Sequence, residues 1–505
     1  MTNLTELFIN VEPKQSDRCY PFFDMTHRNC MAIFSQVCWM IQLSPQLDKL
    51  TVKSLPTRGA LEVSFLVGII AGMSTLKALD VGIFLSTISD STEWFRIWAD
   101  FTQRAPSSLQ KLAFYLDYMG SLAGDEADGI FGGTEVMAES PQRQDVLPAL
   151  TELGLLVPSF HDSTIPVNDI RKVLERCPNL DKISVHHLNV WTDESALADV
   201  LPDCCPQLRR ITHDAYLSER SARSLNALMM TLPQGQLKEL EYKSYSGDLN
   251  IIGSTKLAIL RHSSSLQRIV FESCGVSQSR SIGLVLSECI GLEELELCPN
   301  NGFWASCTYL EDAVAAMPWA CTNIRHLSIA IARTALPGDP VYKTSGQEPF
   351  YNRSEPTALS EEESAQFTLL ERLFQQIGSL AELRRLNLRS FITIGVRRMV
   401  EGQDYLKNTF PGMMSLGDVE TGRRGFLDLL GGLRKLQEIC GSVYASTPEG
   451  RATVGWAEAR WMHDNWSDLR VAEYYFKDEE PEEHFQWLRD QRQRWKLELF
   501  GLPPS

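Results

Sequence analysis

A short apolar phrase recurs along this chain, and it constrains the fold more than any other feature. The phrase is an aliphatic residue, two variable residues, a second aliphatic, one variable residue and a third apolar residue. Successive copies begin at residues 150, 180, 208, 237, 266, 292 and 324, so the spacing stays between 26 and 32 residues. This period lies near the upper end of the leucine-rich-repeat range of roughly 20–29 residues and predicts stacked repeats.

Each repeat has the pattern of one strand and one helix. Alternation within the phrase, as in Leu180, Ile183 and Val185, sends apolar side chains to one side of a strand. Between the phrases, apolar residues recur at intervals of three and four, as in IGLVLSECIGL (282–292), which indicates a helix that buries one side. Stacking such units predicts an α/β leucine-rich-repeat solenoid, a horseshoe with a concave parallel β-sheet and convex helices.

Cysteines recur at one position of the repeat. Cys177, Cys205, Cys289 and Cys321 each stand three residues before the first aliphatic of a phrase. We interpret this cysteine as a small buried hydrophobe in the turn from helix to strand. Metal or redox chemistry is the alternative, but the sparse spacing and the lack of a CxxC pair argue against it.

These phrases resemble those of a known group. The CPNL and CPQL turns, with MPWACTNIRHLSIAI (317–331) and VGWAEARWMHDNWSDLRV (454–471), are similar to fungal F-box/LRR proteins, whose cysteine-containing repeats belong to the ribonuclease-inhibitor-like superfamily. The resemblance covers about residues 1 to 475. It implies substrate recognition for an SCF-type ubiquitin ligase, in which an N-terminal F-box binds the Skp adaptor.

No F-box is recognisable in this chain. An F-box requires a helical module before the first repeat, whereas the phrase beginning at Leu4 starts almost at Met1. We expect either a truncated chain or a lost adaptor-binding module, so the Skp adaptor and cullin are expected partners only if an F-box exists upstream. The alternative function is an adaptor-independent LRR scaffold or a GTPase-regulator-like protein.

The pattern also predicts the domain organisation. Residues 1–455 form the predicted solenoid, with inserted loops at about 120–145, 333–363 and 390–425, which are rich in turn-forming, charged or proline residues. Residues 456–505 contain five of the 11 tryptophans and form a predicted C-terminal helical capping region.

Composition restricts the partners. The 64 acidic and 48 basic residues give a net charge of −16, which disfavours nucleic acid as a partner. The longest apolar stretch, Val63 to Met73, is shorter than the roughly 20 residues of a membrane span. Without a recognisable signal peptide, we expect a cytoplasmic and/or nuclear protein with no membrane partner.

No motif for catalysis occurs. GxxxxGK[ST], GxSxG and HExxH are all absent from the sequence, and the adjacent His186 and His187 cannot chelate as an i, i+4 pair would. We therefore expect a non-enzymatic protein-protein interaction module without cofactor, catalytic residue or metal site.

The outward positions of the predicted strands form the candidate protein-binding face. Its residues are Lys182, His186, Arg210, Glu239, Glu241, Arg268, Glu272, Glu294, Glu296, Arg385 and Arg389. Like charges on neighbouring strands repel by some tenths of a kcal/mol, a cost that a basic ligand offsets. The five glutamates therefore predict an acidic strip that binds a basic or mixed-charge protein segment; the alternative is a solvated polar face.

Overall fold

A computed structural model of the protein describes most of the predicted repeats. The described residues are 4–11, 27–57, 60–85, 99, 101–118, 146–156, 167–186, 200–215, 219–244, 251–272, 279–297, 307–315, 318–334, 336, 359–394, 398–399, 410–420, 422, 424–441, 454–475, 483–491 and 498–500. The predicted loop at 120–145 lies outside them. Two compact units divide the chain, Met1–Leu237 and Lys238–Ser505.

Strands recur at the predicted phrases. Their bounds are β1 (Glu6–Asn10), β2 (Lys49–Thr57), β3 (Ala78–Leu85), β4 (Lys111–Tyr118), β5 (Glu152–Leu156), β6 (Lys182–His186), β7 (Arg210–Ala215), β8 (Glu239–Ser244), β9 (Arg268–Glu272), β10 (Glu294–Glu296), β11 (Cys307–Tyr309), β12 (His326–Thr334), β13 (Arg385–Ile394), β14 (Arg398–Met399), β15 (Glu438–Gly441), β16 (Val471–Tyr475) and β17 (Glu498–Phe500).

The strands pair in chain order and almost always in parallel. In the unit Met1–Leu237, each strand from β1 to β7 pairs in parallel with the next. In the unit Lys238–Ser505, the parallel order is β8, β9, β10, β12, β13, β15, β16 and β17. The short β11 adds to the far end of β12, and β14 is antiparallel to β13.

Helices connect many of these strands. They span His27–Gln42, Ala60–Ala71, Val167–Leu174, Glu219–Thr231, Ile251–Arg261, Ser279–Glu288, Leu310–Ala315, Glu361–Gly378, Trp456–Asn465 and Glu483–Gln491, with a 3-10 helix at Leu427–Leu430. Among the helices that the structure describes, none has the length and apolar character that a membrane crossing requires.

The aliphatic residues of the phrase build the core. Leu79 pairs in register with Leu50 and Leu112, and all three side chains are fully buried. Each such burial stabilises the fold by about 1.5–3 kcal/mol. Parallel strands in chain order, alternating with helices and packed through the repeated leucines, confirm the predicted α/β leucine-rich-repeat fold in each unit.

A backbone feature links one repeat to the next. The carbonyl of Thr151 accepts hydrogen bonds from the consecutive amides of Asp181 and Lys182, both at 2.9 Å. A carbonyl has two lone pairs, so both bonds can form. The same arrangement, which we call the double-acceptor ladder, recurs at the carbonyls of Thr5, Asp48, Lys77, Gln110, Asp181, Lys238, Gln267, Glu293, Arg325, Arg384 and Gln437. It fixes the register of neighbouring strands without using side chains.

The recurring cysteines have the predicted structural role. The amide of Leu180 donates to the carbonyl of Cys177 at 3.1 Å, and that of Leu292 donates to Cys289 at 3.1 Å, so each cysteine closes the turn before a strand. Both thiols are fully buried, and burial raises the pKa of each to about 12. A neutral thiol here acts as a small apolar side chain.

Regular structure enters the approximate bounds of two predicted loops. Within 333–363, β12 continues to Thr334 and a helix begins at Glu361, after Ser360 caps it through a hydrogen bond from the Glu363 amide. Within 390–425, β13 continues to Ile394, and the side chains of Phe410 and Met413 are buried.

The predicted capping region also contains strands. The helices Trp456–Asn465 and Glu483–Gln491 alternate with β16 and β17, and these two strands pair in parallel. The strand-helix alternation therefore continues beyond residue 455, within the predicted C-terminal helical capping region.

Candidate functional site

The outward face is the side of the sheet opposite the leucine core. In the unit Lys238–Ser505, strand register aligns two rows of side chains on this face. The first row is Glu239, Arg268, Glu294, His326, Arg385 and Glu438. The second row is Glu241, Val270, Glu296, Ser328 and Asn387.

Arg268 lies between two carboxylates of the predicted acidic strip. Its Nη1 lies 3.7 Å from Glu241 Oε2, and its Nε lies 3.2 Å from Glu294 Oε2. The like-charge repulsion expected across β8 to β10 is therefore partly offset within the protein itself. This pairing argues that the strip is held in a defined arrangement.

Glu294 has partners on both neighbouring strands, β9 and β12. Its Oε1 lies 3.5 Å from Nδ1 of His326, while its Oε2 faces Arg268. The hydrogen bond from His326, together with the charge of Arg268, holds the pKa of Glu294 below its usual range, against the opposing effect of burial. Glu294 is consequently a carboxylate at neutral pH.

Glu239 and Glu296 differ from these two carboxylates. Both side chains are partly buried, and neither forms an ion pair or a side-chain hydrogen bond with another residue of the described part of the chain. Among the described outward side chains of β8 to β10, four carboxylates and the guanidinium of Arg268 thus leave an excess of three negative charges.

The rest of the face is less open or less acidic. Arg385 Nε lies 2.5 Å from Glu438 Oε2, and Arg389 on the same strand is partly buried. Further along β12, the outward residues Ala330 and Ala332 are buried against Cys307 and packed by Phe391. Glu272 lies at the end of β9, but its side chain is outside the described residues.

The first unit, Met1–Leu237, contains three of the candidate residues. Arg210 is paired within the protein, with its Nε 2.7 Å from Asp181 Oδ2 and its Nη2 3.3 Å from Glu152 Oε1. Lys182 lies beside it on β6 and is partly buried. His186 ends β6, and its side chain lies outside the described residues.

One grouping on the outward face was not predicted from the sequence. Glu294, Glu296 and His326 each offer a ligand atom, and these atoms all lie within 4.8 Å of one another. His326 is 30 residues from Glu296 along the chain and reaches it because β10 pairs directly with β12. Glu294 and His326 each stand two residues after the first aliphatic of their phrase. This shared repeat position was the sequence feature that could have identified the grouping.

Comparison with known proteins gives no family assignment. No family model matches the chain, and no curated protein matches it. The crystal structure of a TLR13–ssRNA13 complex is similar at 12% identity and a TM-score of 0.22, over 80% of this chain and 68% of that chain. A likeness at this TM-score supports no conclusion about the architecture or the ligand of this protein.

Proposed function

We propose that this protein is a non-enzymatic protein-interaction module that binds a basic or mixed-charge protein segment. The ligand would lie on the outward face of β8 to β10. The observation that carries the proposal is the pair Glu239 and Glu296, two partly buried carboxylates that form no ion pair within the described part of the chain.

Charge supports a basic ligand over an acidic one. A lysine or arginine of the ligand would offset the excess negative charge that Arg268 leaves on this part of the face. The net charge of −16 adds a long-range attraction, which acts mainly on the association rate and on specificity.

A finer proposal concerns the cellular role. The resemblance of the repeats to F-box/LRR proteins supports a substrate-recognition role in an SCF-type ubiquitin ligase. That role also requires an F-box that binds the Skp adaptor, with cullin as a further partner. An adaptor-independent scaffold or GTPase regulator is the alternative. Purification of the chromosomally tagged protein tests the ligase role, which predicts that Skp and cullin co-purify. A GTP-hydrolysis assay on the purified protein tests the regulator, which should stimulate hydrolysis directly.

The face itself is tested by parallel purifications. Glu239→Gln with Glu296→Gln removes the two carboxylates, and Glu288→Gln with Asp464→Asn removes the same charge from exposed helix positions. Proteins retained by wild type and by the control, but lost from the first variant, are ligands of this face. We expect their affinity to fall roughly 2- to 30-fold, since exposed ion pairs contribute about 0.2–1 kcal/mol each. Equal recovery with all three proteins would reject the assignment.

A further inference from the structure

Two adjacent strands supply a mixed set of ligand atoms. Glu294 and Glu296 are two residues apart on β10, so both side chains lie on the outward face. His326 begins β12 directly opposite Glu294. One imidazole and two carboxylates form a ligand set that first-row transition metals accept, unlike a purely acidic surface patch.

A bound ion would require these ligand atoms to move closer together. Metal–ligand bonds of about 2.0–2.2 Å place ligand atoms on the order of 3 Å apart, compared with a limit of 4.8 Å in this set. Glu296 can supply the movement, because it forms no ion pair or side-chain hydrogen bond with any other described residue. Rotation of this one partly exposed side chain would bring its carboxylate closer to Glu294 and His326.

Arg268 orients the second carboxylate. Its Nε contacts Glu294 Oε2 at 3.2 Å, while Oε1 of the same carboxylate faces His326. A metal-bound carboxylate is commonly held in this way by an outer partner, which leaves one oxygen for the ion. Arg268 thus holds one oxygen of Glu294 and leaves the other directed toward His326.

The surrounding charge favours a cation despite the nearby arginine. Glu239, Glu241, Glu294 and Glu296 carry four negative charges against the single positive charge of Arg268, an excess of three. A divalent ion would reduce this excess to one. The side chains of Glu294 and His326 are 30% and 20% exposed, so solvent screens this attraction less than at an open surface.

We propose that Glu294, Glu296 and His326 bind a divalent first-row transition-metal ion on the outward face. Three protein ligands leave coordination positions for water or for a donor from a bound partner. The inference does not depend on the proposed protein ligand, because the metal can be measured on the purified chain alone.

The test uses Mn²⁺, which prefers carboxylate and imidazole over the thiolates of the chain's 12 cysteines. Electron paramagnetic resonance of free Mn²⁺ is followed while the full-length, metal-free protein is titrated. We expect one saturable site per chain, and a loss of affinity of at least about tenfold in Glu296→Gln and in His326→Gln.

A matched variant separates coordination from general charge. Glu239→Gln removes one carboxylate from the same row without touching the three ligands, and we expect less than about threefold weakening. Thermal unfolding of each variant checks that the fold is retained. The proposal is overturned if wild type shows no saturable site, or if Glu296→Gln and His326→Gln bind as tightly as Glu239→Gln does.

Discussion

Cys177, Cys289 and Cys321 show how a single residue type serves the repeat. Each thiol lies in the turn before a strand, fully buried, and burial raises its pKa to about 12. The thiolate is the reactive form, so these cysteines are poor nucleophiles and poor metal ligands at neutral pH. Their recurrence reflects packing in a narrow turn.

The raised thiol pKa predicts loss of stability in alkali. In the unfolded chain these thiols ionise near the ordinary value of 9.0, whereas in the fold they remain protonated to about 12. Their contribution is therefore fully present below pH 9 and is lost as the pH rises toward 12, by about 1.4 kcal/mol per pH unit for each thiol. Urea unfolding at pH 8 and pH 10 measures this loss.

Alanine variants assign the effect to particular thiols. Cys289→Ala and Cys321→Ala remove the ionising group, so each should make the free energy of unfolding less dependent on pH than in wild type. An identical pH dependence in wild type and both variants would contradict this account.

At the scale of the element, side-chain capping at Ser360 defines where the helix Glu361–Gly378 begins. Ser360 accepts a hydrogen bond from the Glu363 amide at 3.1 Å, and the Glu363 carboxylate accepts one from the Ser360 amide at 2.8 Å. This capping box satisfies two amides that the helix leaves free. Its acidic first turn, part of a predicted loop, is favourable for the helix dipole.

Removal of the cap should destabilise this helix. We expect Ser360→Ala to lower the free energy of unfolding by about 0.5–2 kcal/mol. Ser360→Asp keeps a hydrogen-bond acceptor at the cap and should retain most of the wild-type stability. Chemical denaturation of both variants measures the difference. Equal losses in the alanine and aspartate variants would show that the side-chain oxygen is not what matters.

Alanine substitutions at two helical glycines should have opposite effects on stability. A Cβ on Gly378 would collide with the backbone carbonyl of Leu429, whereas one on Gly68 would meet no atom within 4 Å. Gly378→Ala should therefore destabilise the protein by about 1–3 kcal/mol or more, and Gly68→Ala should stabilise it by about 0.5–1 kcal/mol. Thermal unfolding of the two variants compares these signs, and destabilisation by both would refute the contrast.

Sequence reasoning located the strands well because their signal is local. Leucine spacing within one phrase decides which side chains enter the core, and the period places the next copy. The C-terminal strand β16 was harder, since its phrase is reduced to Leu469, Ala472 and Tyr474.

The candidate site depended on partners in other repeats. The repeat period predicts which residues of the acidic strip are outward positions, but the bridging of Glu241 and Glu294 by Arg268 follows from side-chain geometry between strands. The same holds for His326 beside Glu294, and for the covered outward positions Ala330 and Ala332. Such contacts depend on rotamers and on strand length, which the period does not specify.

For the whole molecule, stability should be distributed by repeats. Each strand pairs mainly with its immediate neighbours, and the chain divides into two compact units. A stacked array of this kind is stabilised approximately by the sum of its repeats and their neighbouring contacts.

Core variants in different units should therefore act locally. Leu112→Ala removes a fully buried side chain from β4, and Leu386→Ala removes an almost fully buried one from β13; each should cost about 2–5 kcal/mol. Hydrogen exchange of the first variant should quicken in β3 to β5, and that of the second in β12 to β15. Uniform acceleration throughout both units would show instead that the chain unfolds as one cooperative whole.

The double-acceptor ladder places one prohibition on the sequence. Each ladder carbonyl needs an amide hydrogen from two consecutive residues of the next repeat, such as Gln267 and Arg268. Any of the other amino acids can donate there, but proline cannot. The backbone therefore places almost no restriction on substitutions at the outward face, so the surface can diversify. Proline at the start of a repeat is the exception, because it would remove an amide that holds the strand register.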